Sequence, residues 1–164
     1  MVRVAIISDT HVPSRASAIP DWVVDECERA DHVVHAGDFD SPEAFDTVRS
    51  FAPELTAVAG NVDPGSLGLP EVAVLELGGV TFVVTHGSGP KAGYRRRVSK
   101  AVREHGGGDA VGIAGHTHEV MDEEVDGVRL LNPGSATAAR PATRATMYVV
   151  EVADGELSVE LLEG

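Results

Sequence analysis

Three times between residues 1 and 61, a short β-branched run stops at a small residue followed by a polar one that can bind an ion. Residues 2–7 stop at Ser8-Asp9, residues 31–36 at Gly37-Asp38, and residues 54–59 at Gly60-Asn61. Helical stretches lie between the runs. In residues 21–30, Trp22, Val23, Cys27 and Ala30 form an apolar stripe behind Pro20. Ser41 and Pro42 open the next helix as N-cap and first helical residue. Strands alternating with helices at this spacing form parallel β-α-β units, so the chain is α/β in class. In such a sheet the loops past the carboxyl ends of the strands converge, and ligands bind there.

The second half changes character. Gly78-Gly79, Asp126-Gly127 and Asp154-Gly155 each sit between two strand-like runs and predict hairpins over 72–85, 120–131 and 146–162. A Gly/Pro loop covers 64–70, and a basic helix over 91–105 is stopped by Gly106-Gly107-Gly108. Residues 110–114 form a further strand, and Asn132-Pro133-Gly134-Ser135 predicts a turn. With no linker, repeat or low-complexity tract, residues 1–164 are expected to form a single domain.

Charge narrows the function. Asp and Glu number 26 against 13 Lys and Arg, giving a formal charge of −13. Self-repulsion and phosphate repulsion both oppose binding to long nucleic acid or an anionic membrane. Only Lys91 and Lys100 are lysines. An acid-rich, lysine-poor surface suits high salt, where screening relieves the repulsion. The melting temperature is therefore expected to rise between dilute buffer and molar salt, and a flat response contradicts a halophilic origin. No apolar run approaches the ~20 residues that span a bilayer, and the first run lacks the flanks of a signal peptide. A cytoplasmic protein is expected, and a homo-oligomer is compatible with this reading. Cys27, the only cysteine, excludes an internal disulfide and is expected to be a small buried residue.

The chemistry collects at strand ends. Gly115-His116-Thr117-His118 follows the strand over 110–114, and its two imidazoles share one side of the chain if it stays extended. Alone, the pair reads equally well as polar loop histidines. It does not stand alone: Asp9, His11, Asp38, Asn61 and His86 also lie just past strand ends. Carboxylate, imidazole and amide oxygen without thiolate make an N/O donor set for manganese, iron, nickel or zinc. Two metals about 3.5–4 Å apart need a bridging ligand. Asp38 is the candidate, because Gly37 lets the backbone approach closely.

Asp9-Thr10-His11, Gly37-Asp38, Gly60-Asn61, His86-Gly87 and Gly115-His116-Thr117-His118 occur in the order and spacing of a known pattern. The chain resembles the calcineurin-like metallophosphoesterase superfamily, and with Asn132-Pro133-Gly134-Ser135 its compact phosphodiesterase branch. The resemblance implies a four-layer α-β-β-α sandwich, two mixed sheets with helices outside. It implies two divalent ions, manganese first, with nickel, zinc or iron as alternatives. Asp9, His11, Asp38 and His118 would hold one, and Asp38, Asn61, His86 and His116 the other. Asp38, Asn61 and His116 are the residues expected to serve the reaction as well, with Asn61 also contacting the substrate phosphate. A hydroxide bridging the metals would attack phosphorus in a small phosphodiester or nucleotide-like substrate. The alternatives are a phosphomonoesterase or nuclease on the same site, or a scaffold on the same fold, as in the eukaryotic retromer subunit with its incomplete metal set.

Two positions depart from the family pattern. Where many relatives have His after Gly-Asn, and compact ones often Cys, this chain has Val62, which cannot donate a proton. Losing a general acid worth ~10²–10⁴-fold matters least for good leaving groups, which favours activated diesters over alkyl monoesters. Ser88 replaces a frequent second histidine after His86 and is expected to alter substrate contacts, not metal binding. His35 is expected to be a satisfied strand residue, and His32 and His105 surface residues. Asp40 and Asp63 are either partners of the ligands or solvated loop carboxylates. Arg95, Arg96 and Arg97 are expected on a solvated helix face.

Overall fold

The computed structural model describes residues 1–164. In chain order its elements are β1 (Val2–Ile7), α1 (Asp21–Arg29), β2 (His32–His35), α2 (Pro42–Phe51), β3 (Leu55–Ala57), β4 (Val72–Leu77), β5 (Val80–Thr85), α3 (Tyr94–Gly106), β6 (Val111–Ile113), β7 (Val120–Val125), β8 (Val128–Pro133), β9 (Thr146–Ala153) and β10 (Glu156–Glu163). They form two mixed five-stranded sheets, ordered β10-β9-β1-β2-β3 and β4-β5-β6-β8-β7. The three strands of the opening alternation are parallel neighbours, with Ile7 beside His35 and His35 beside Ala57. All three predicted hairpins form, as β4–β5, β7–β8 and β9–β10. The last lies antiparallel along β1, so the end of the chain completes the first sheet.

Side-chain alternation divides the core into three apolar layers. Val4 and Ile6 of β1, with Val150 of β9 beside them, point at the second sheet, where they join Phe82, Ile113 and Leu131. Ala5 and Ile7 point the other way, onto Val23 and Cys27 of α1 and Val48 of α2. The second sheet covers its outer face with Val98 and Val102 of α3. The result is an α-β-β-α sandwich. Burying each Val or Ile contributes ~1.5–3 kcal/mol, and this packing holds the strand ends rigid under the loops. Cys27 is fully buried among these apolar residues, which push its thiol up to about 12. No helix is long and apolar enough to cross a membrane.

Several boundaries differ from expectation. The basic helix starts at Tyr94, not 91, because Gly93 adopts φ 82° and breaks the helical path before it. β3 ends at Ala57, since the Ala59 N–H leaves the sheet for the Pro70 carbonyl. Residues 132 and 133, read as part of a turn, extend β8 by pairing with Met121 and Val120. The Ser41 cap forms as predicted, accepting the Ala44 N–H at 3.1 Å.

Candidate metal centre

The loops that leave β1, β2, β3, β5 and β6 meet at one edge of the sandwich. Five of the residues singled out there, Asp9, His11, Asp38, His116 and His118, have left-handed backbones with φ between 43° and 76°. Asp and His tolerate this region better than most residues, yet it persists only where the surroundings impose it. Two glycines make the approach possible. A Cβ on Gly37 would lie 2.8 Å from both Gly60 N and His86 Nδ1, and one on Gly115 would lie 2.0 Å from Ser8 Oγ.

All seven predicted donors converge. One group joins Asp9, His11 and His118, and the second joins Asp38, His86 and His116. Asn61 adjoins the second group, its Oδ1 3.0 Å from His86 Nε2 and 3.1 Å from His116 Nδ1. Asp38 stands between the groups: its Oδ2 is 3.5 Å from His11 Nε2 and 3.1 Å from His86 Nε2.

The protonation pattern fits a cation. The Nδ1 of His86 meets the Ala36 carbonyl at 2.7 Å, and that of His118 meets the Ala139 carbonyl at 2.8 Å. A carbonyl only accepts, so each Nδ1 carries the proton and each neutral ring turns an Nε2 lone pair inward. Those lone pairs face further acceptors, Asp38 Oδ2 for His86 and, 3.4 Å from His118, Asp9 Oδ1. His11 repeats the arrangement, with Nδ1 2.9 Å from Asp40 Oδ1 and Nε2 3.3 Å from His118 Nε2. Asp9 Oδ1 is buried and has no hydrogen-bond partner. Acceptors crowded against acceptors in a buried site are unfavourable until a cation lies among them. Burial pushes His86 and His118 down, but the carboxylates and carbonyls around them, Asp38, Asp9 and Ala36 for His86 and Asp9 and Ala139 for His118, together outweigh it, and both pKa values rise.

The support around these donors was only partly anticipated. Asp63 is not a solvated carboxylate: Oδ1 accepts the Phe39 and Asp40 N–H groups, and Oδ2 those of Asp38 and Gly60. Asp40 orients His11. Ser135 Oγ donates to the Asp9 carbonyl at 2.8 Å, and Tyr94 and Asn132 both donate to the Gly115 carbonyl. Tyr94 was not singled out, and Asn132 and Ser135 only as parts of one turn; the one sequence signal was the Asn-Pro-Gly-Ser stretch itself. The arginine run divides: Arg95 pairs with Glu123 on the surface, while Arg97 donates to the Gly87 and Pro90 carbonyls. That grip fixes the loop whose Gly89 carbonyl accepts from His116 Nε2 at 2.8 Å. His32 is half-buried and bonded to Thr56, contrary to expectation, and His105 is exposed as expected.

His35 is satisfied, and it also ties two loops together. Its Nδ1 accepts the Gly37 N–H at 3.0 Å, which leaves Nε2–H to donate to Thr10 Oγ1 at 3.0 Å. Burial, reinforced by the His86 charge, pushes its pKa down to about 3. The folded chain therefore refuses a proton that the unfolded chain accepts below pH ~6.5. His35 contributes its full stability above that pH and loses it progressively toward pH 3, with a slope approaching ~1.4 kcal/mol per pH unit. Its ring resonances are expected to remain those of the neutral Nε2–H tautomer from pH 8 to pH 5. A titration with a midpoint near 6.5 contradicts the assignment.

Comparison with known proteins agrees with this geometry. The family model described as the calcineurin-like phosphoesterase superfamily domain matches residues 2–155. A probable metallophosphoesterase of Methanothermobacter thermautotrophicus is 32% identical over 163 residues, 97% of this chain and 91% of that one. A phosphodiesterase of Methanocaldococcus jannaschii is 30% identical over 148 residues, 81% of this chain and 83% of that one. Among solved structures, wild-type Vps29 of Entamoeba histolytica complexed with zinc matches with a TM-score of 0.72 at 29% identity, over 98% of both chains.

Proposed function

The chain belongs to the calcineurin-like phosphoesterase superfamily, and from that premise we propose that it is a metal-dependent phosphodiesterase acting on small phosphodiesters. The observation that carries the proposal is Asp38 Oδ2, which faces one imidazole from each of the two ligand groups. One divalent ion would be held by Asp9, His11, His118 and Asp38, and the other by Asp38, Asn61, His86 and His116. Bound there, such a pair lowers the pKa of water and neutralises charge on the phosphoryl oxygens. The chain's own residues supply the rest. Ala36, Asp40 and Ala139 fix the imidazoles by their Nδ1 protons. Asn61 turns its oxygen to the imidazoles, which leaves its amide N–H groups for a phosphoryl oxygen. His116, half-buried at the rim, has Nε2 held by Gly89 and Nδ1 directed at Asn61.

Preference for diesters with good leaving groups rests on Val62. Its side chain is 40% exposed and lines the same recess as His11, Arg15 and Asp40. An apolar group at that position donates no proton to a departing alkoxide. Val62→His is expected to raise monoester relative to diester turnover by about tenfold or more. An unchanged ratio removes the argument.

The proposal is tested with metal-free protein given Mn2+, Ni2+, Zn2+ or Fe2+. Bis(4-nitrophenyl) phosphate should be hydrolysed only with metal, and faster than 4-nitrophenyl phosphate. No metal-dependent turnover of either compound contradicts it. The likeness to Vps29 favours a second reading, a protein-interaction module on this fold. The complete donor set weighs toward the enzyme.

A further inference from the structure

Carboxylates are plentiful in this chain, and most of its cations pair with one, as Lys91 does with Glu119 and Arg95 with Glu123. Of those that do not, Arg15, Arg96, Arg103 and Arg140 are exposed to water, but Arg97 is half-buried. Its Nη2 donates to the Gly87 carbonyl at 2.8 Å and the Pro90 carbonyl at 3.0 Å. Nε is buried without an acceptor, and Nη1 makes no hydrogen bond. The Tyr94 ring, 6.0 Å from Cζ, lies at the outer limit of a cation–π contact. A charge withdrawn from water with only neutral partners is unfavourable, and a counter-ion relieves it.

Arg97 is also the only cation lining a cavity of about 410 Å3 that opens beside Asn61 and His86. That volume holds a small organic group. Val98 and Ala101 of α3 form an apolar wall, and Ser88 presents a hydroxyl at the rim. Gly89 has φ 124°, and a Cβ there would lie 3.0 Å from Arg97 Cζ, so the loop is fitted to the guanidinium. The cation is therefore fixed before any ligand arrives. Glu71, the one carboxylate lining the cavity, is exposed, and water screens it. A charge acts roughly four times more strongly near a protein surface than in water, so Arg97 dominates inside. Val62 lines a separate recess with His11 and Arg15, which keeps the leaving group apart from this cavity. We infer that the cavity binds the non-leaving arm of the diester, and that this arm carries a second anion, a carboxylate or phosphate, held by Arg97. The inference rests on the phosphodiesterase reading and names the substrate class for that site.

Four 4-nitrophenyl diesters with butyl, 3-carboxypropyl, 3-phosphonopropyl and 3-aminopropyl arms test it, on Mn2+-loaded protein freed of excess metal. In each, the P–O bond to the aryl group breaks, water supplies the new P–O bond, and 4-nitrophenolate, a proton and the phosphate monoester of the arm are released. A charge-assisted contact predicts kcat/KM about ten- to hundredfold higher for an anionic arm than for butyl, against the repulsion of a chain whose net charge is −13. Because Arg97 also grips the Gly87–Pro90 loop, its variants can slow every substrate, and the ratio between arms within one variant is the readout. In Arg97→Met that ratio should fall to about one or below, and Arg97→Lys, which keeps the charge, should restore part of it. Independently of turnover, the 3-carboxypropyl or 3-phosphonopropyl ester of methylphosphonate should bind the parent at least about tenfold more tightly than the butyl ester does, and Arg97→Met should lose the difference. A preference confined to the carboxylate arm identifies a carboxylate as the second anion; one confined to the phosphonate arm identifies a phosphate. Equal rates for all arms, a preference for the amine, an anion preference that survives Arg97→Met, or an Arg97→Lys ratio no higher than that of Arg97→Met overturns the inference while leaving the phosphodiesterase reading intact. Absence of metal-dependent turnover of all four overturns both.

Discussion

Asp38→Asn should lower metal-dependent diester hydrolysis by about a thousandfold or more and leave each chain with at most one tightly bound ion. A metal pair supplies several kcal/mol of transition-state charge stabilisation, and about 4 kcal/mol corresponds to a thousandfold in rate. The substitution removes the anionic oxygen nearest to both groups, at 3.5 Å from His11 and 3.1 Å from His86, whereas Asp9 Oδ1 stays 3.9 Å from His86. Burial pushes the Asp38 carboxyl upward, but the His86 hydrogen bond and neighbouring histidine charge pull it below its ordinary value. The native site therefore holds Asp38 ionised. Asparagine keeps the shape and can keep the oxygen that accepts the Val62 N–H at 3.0 Å. Elemental analysis and kcat/KM on the same preparation check the effect. Parental activity in the variant rules out Asp38 as the bridge.

Asp63→Asn should lower the melting temperature by about 6–12 °C although only one oxygen is exchanged for NH2. Each Asp63 oxygen accepts two backbone N–H groups, Oδ1 from Phe39 and Asp40, Oδ2 from Asp38 and Gly60. Whichever way the amide turns, its NH2 confronts two donors. Leaving them unsatisfied costs roughly 3 kcal/mol, which in a chain of this size is that range in Tm. The same bonds tie the loop after β2 to the loop after β3, so metal affinity should fall by about 10–100-fold. Thermal unfolding and metal titration measure the two effects. A variant with unchanged Tm shows that the loops hold themselves without Asp63.

What the sequence disclosed and what it hid follow from the range of the interactions. Hairpins were legible because Gly78-Gly79, Asp126-Gly127 and Asp154-Gly155 supply the backbone freedom that two-residue turns demand. The donors were legible because a parallel sheet delivers its strand ends to one edge. Both are local signals joined to one topological rule. The supporting residues obey no such rule. Ser135 reaches Asp9 across 126 positions, and Asp63 reaches Asp38 across 25. Their neighbours in the chain mark Ser135 only as part of a turn and Asp63 only as a loop carboxylate near the ligands, and neither signal names the groups that each one holds. The arginine run shows the same limit, because composition treats Arg95 and Arg97 alike while the Gly87–Pro90 loop takes only Arg97. The start of α3 was misread for a different reason: Lys91 lies upstream of Gly93, whose left-handed backbone decides where the helix begins.

The central claim is that loops from five strands build one site for two ions. The direct measurement is the number of Mn2+ ions retained per chain by metal-free protein after reconstitution and gel filtration, repeated for His116→Ala and His118→Ala. The account predicts two ions in the parent and one in each variant, with a different ion lost in each, so that the remaining affinities differ. A parent that binds one ion or none, or two variants with identical residual binding, contradicts it.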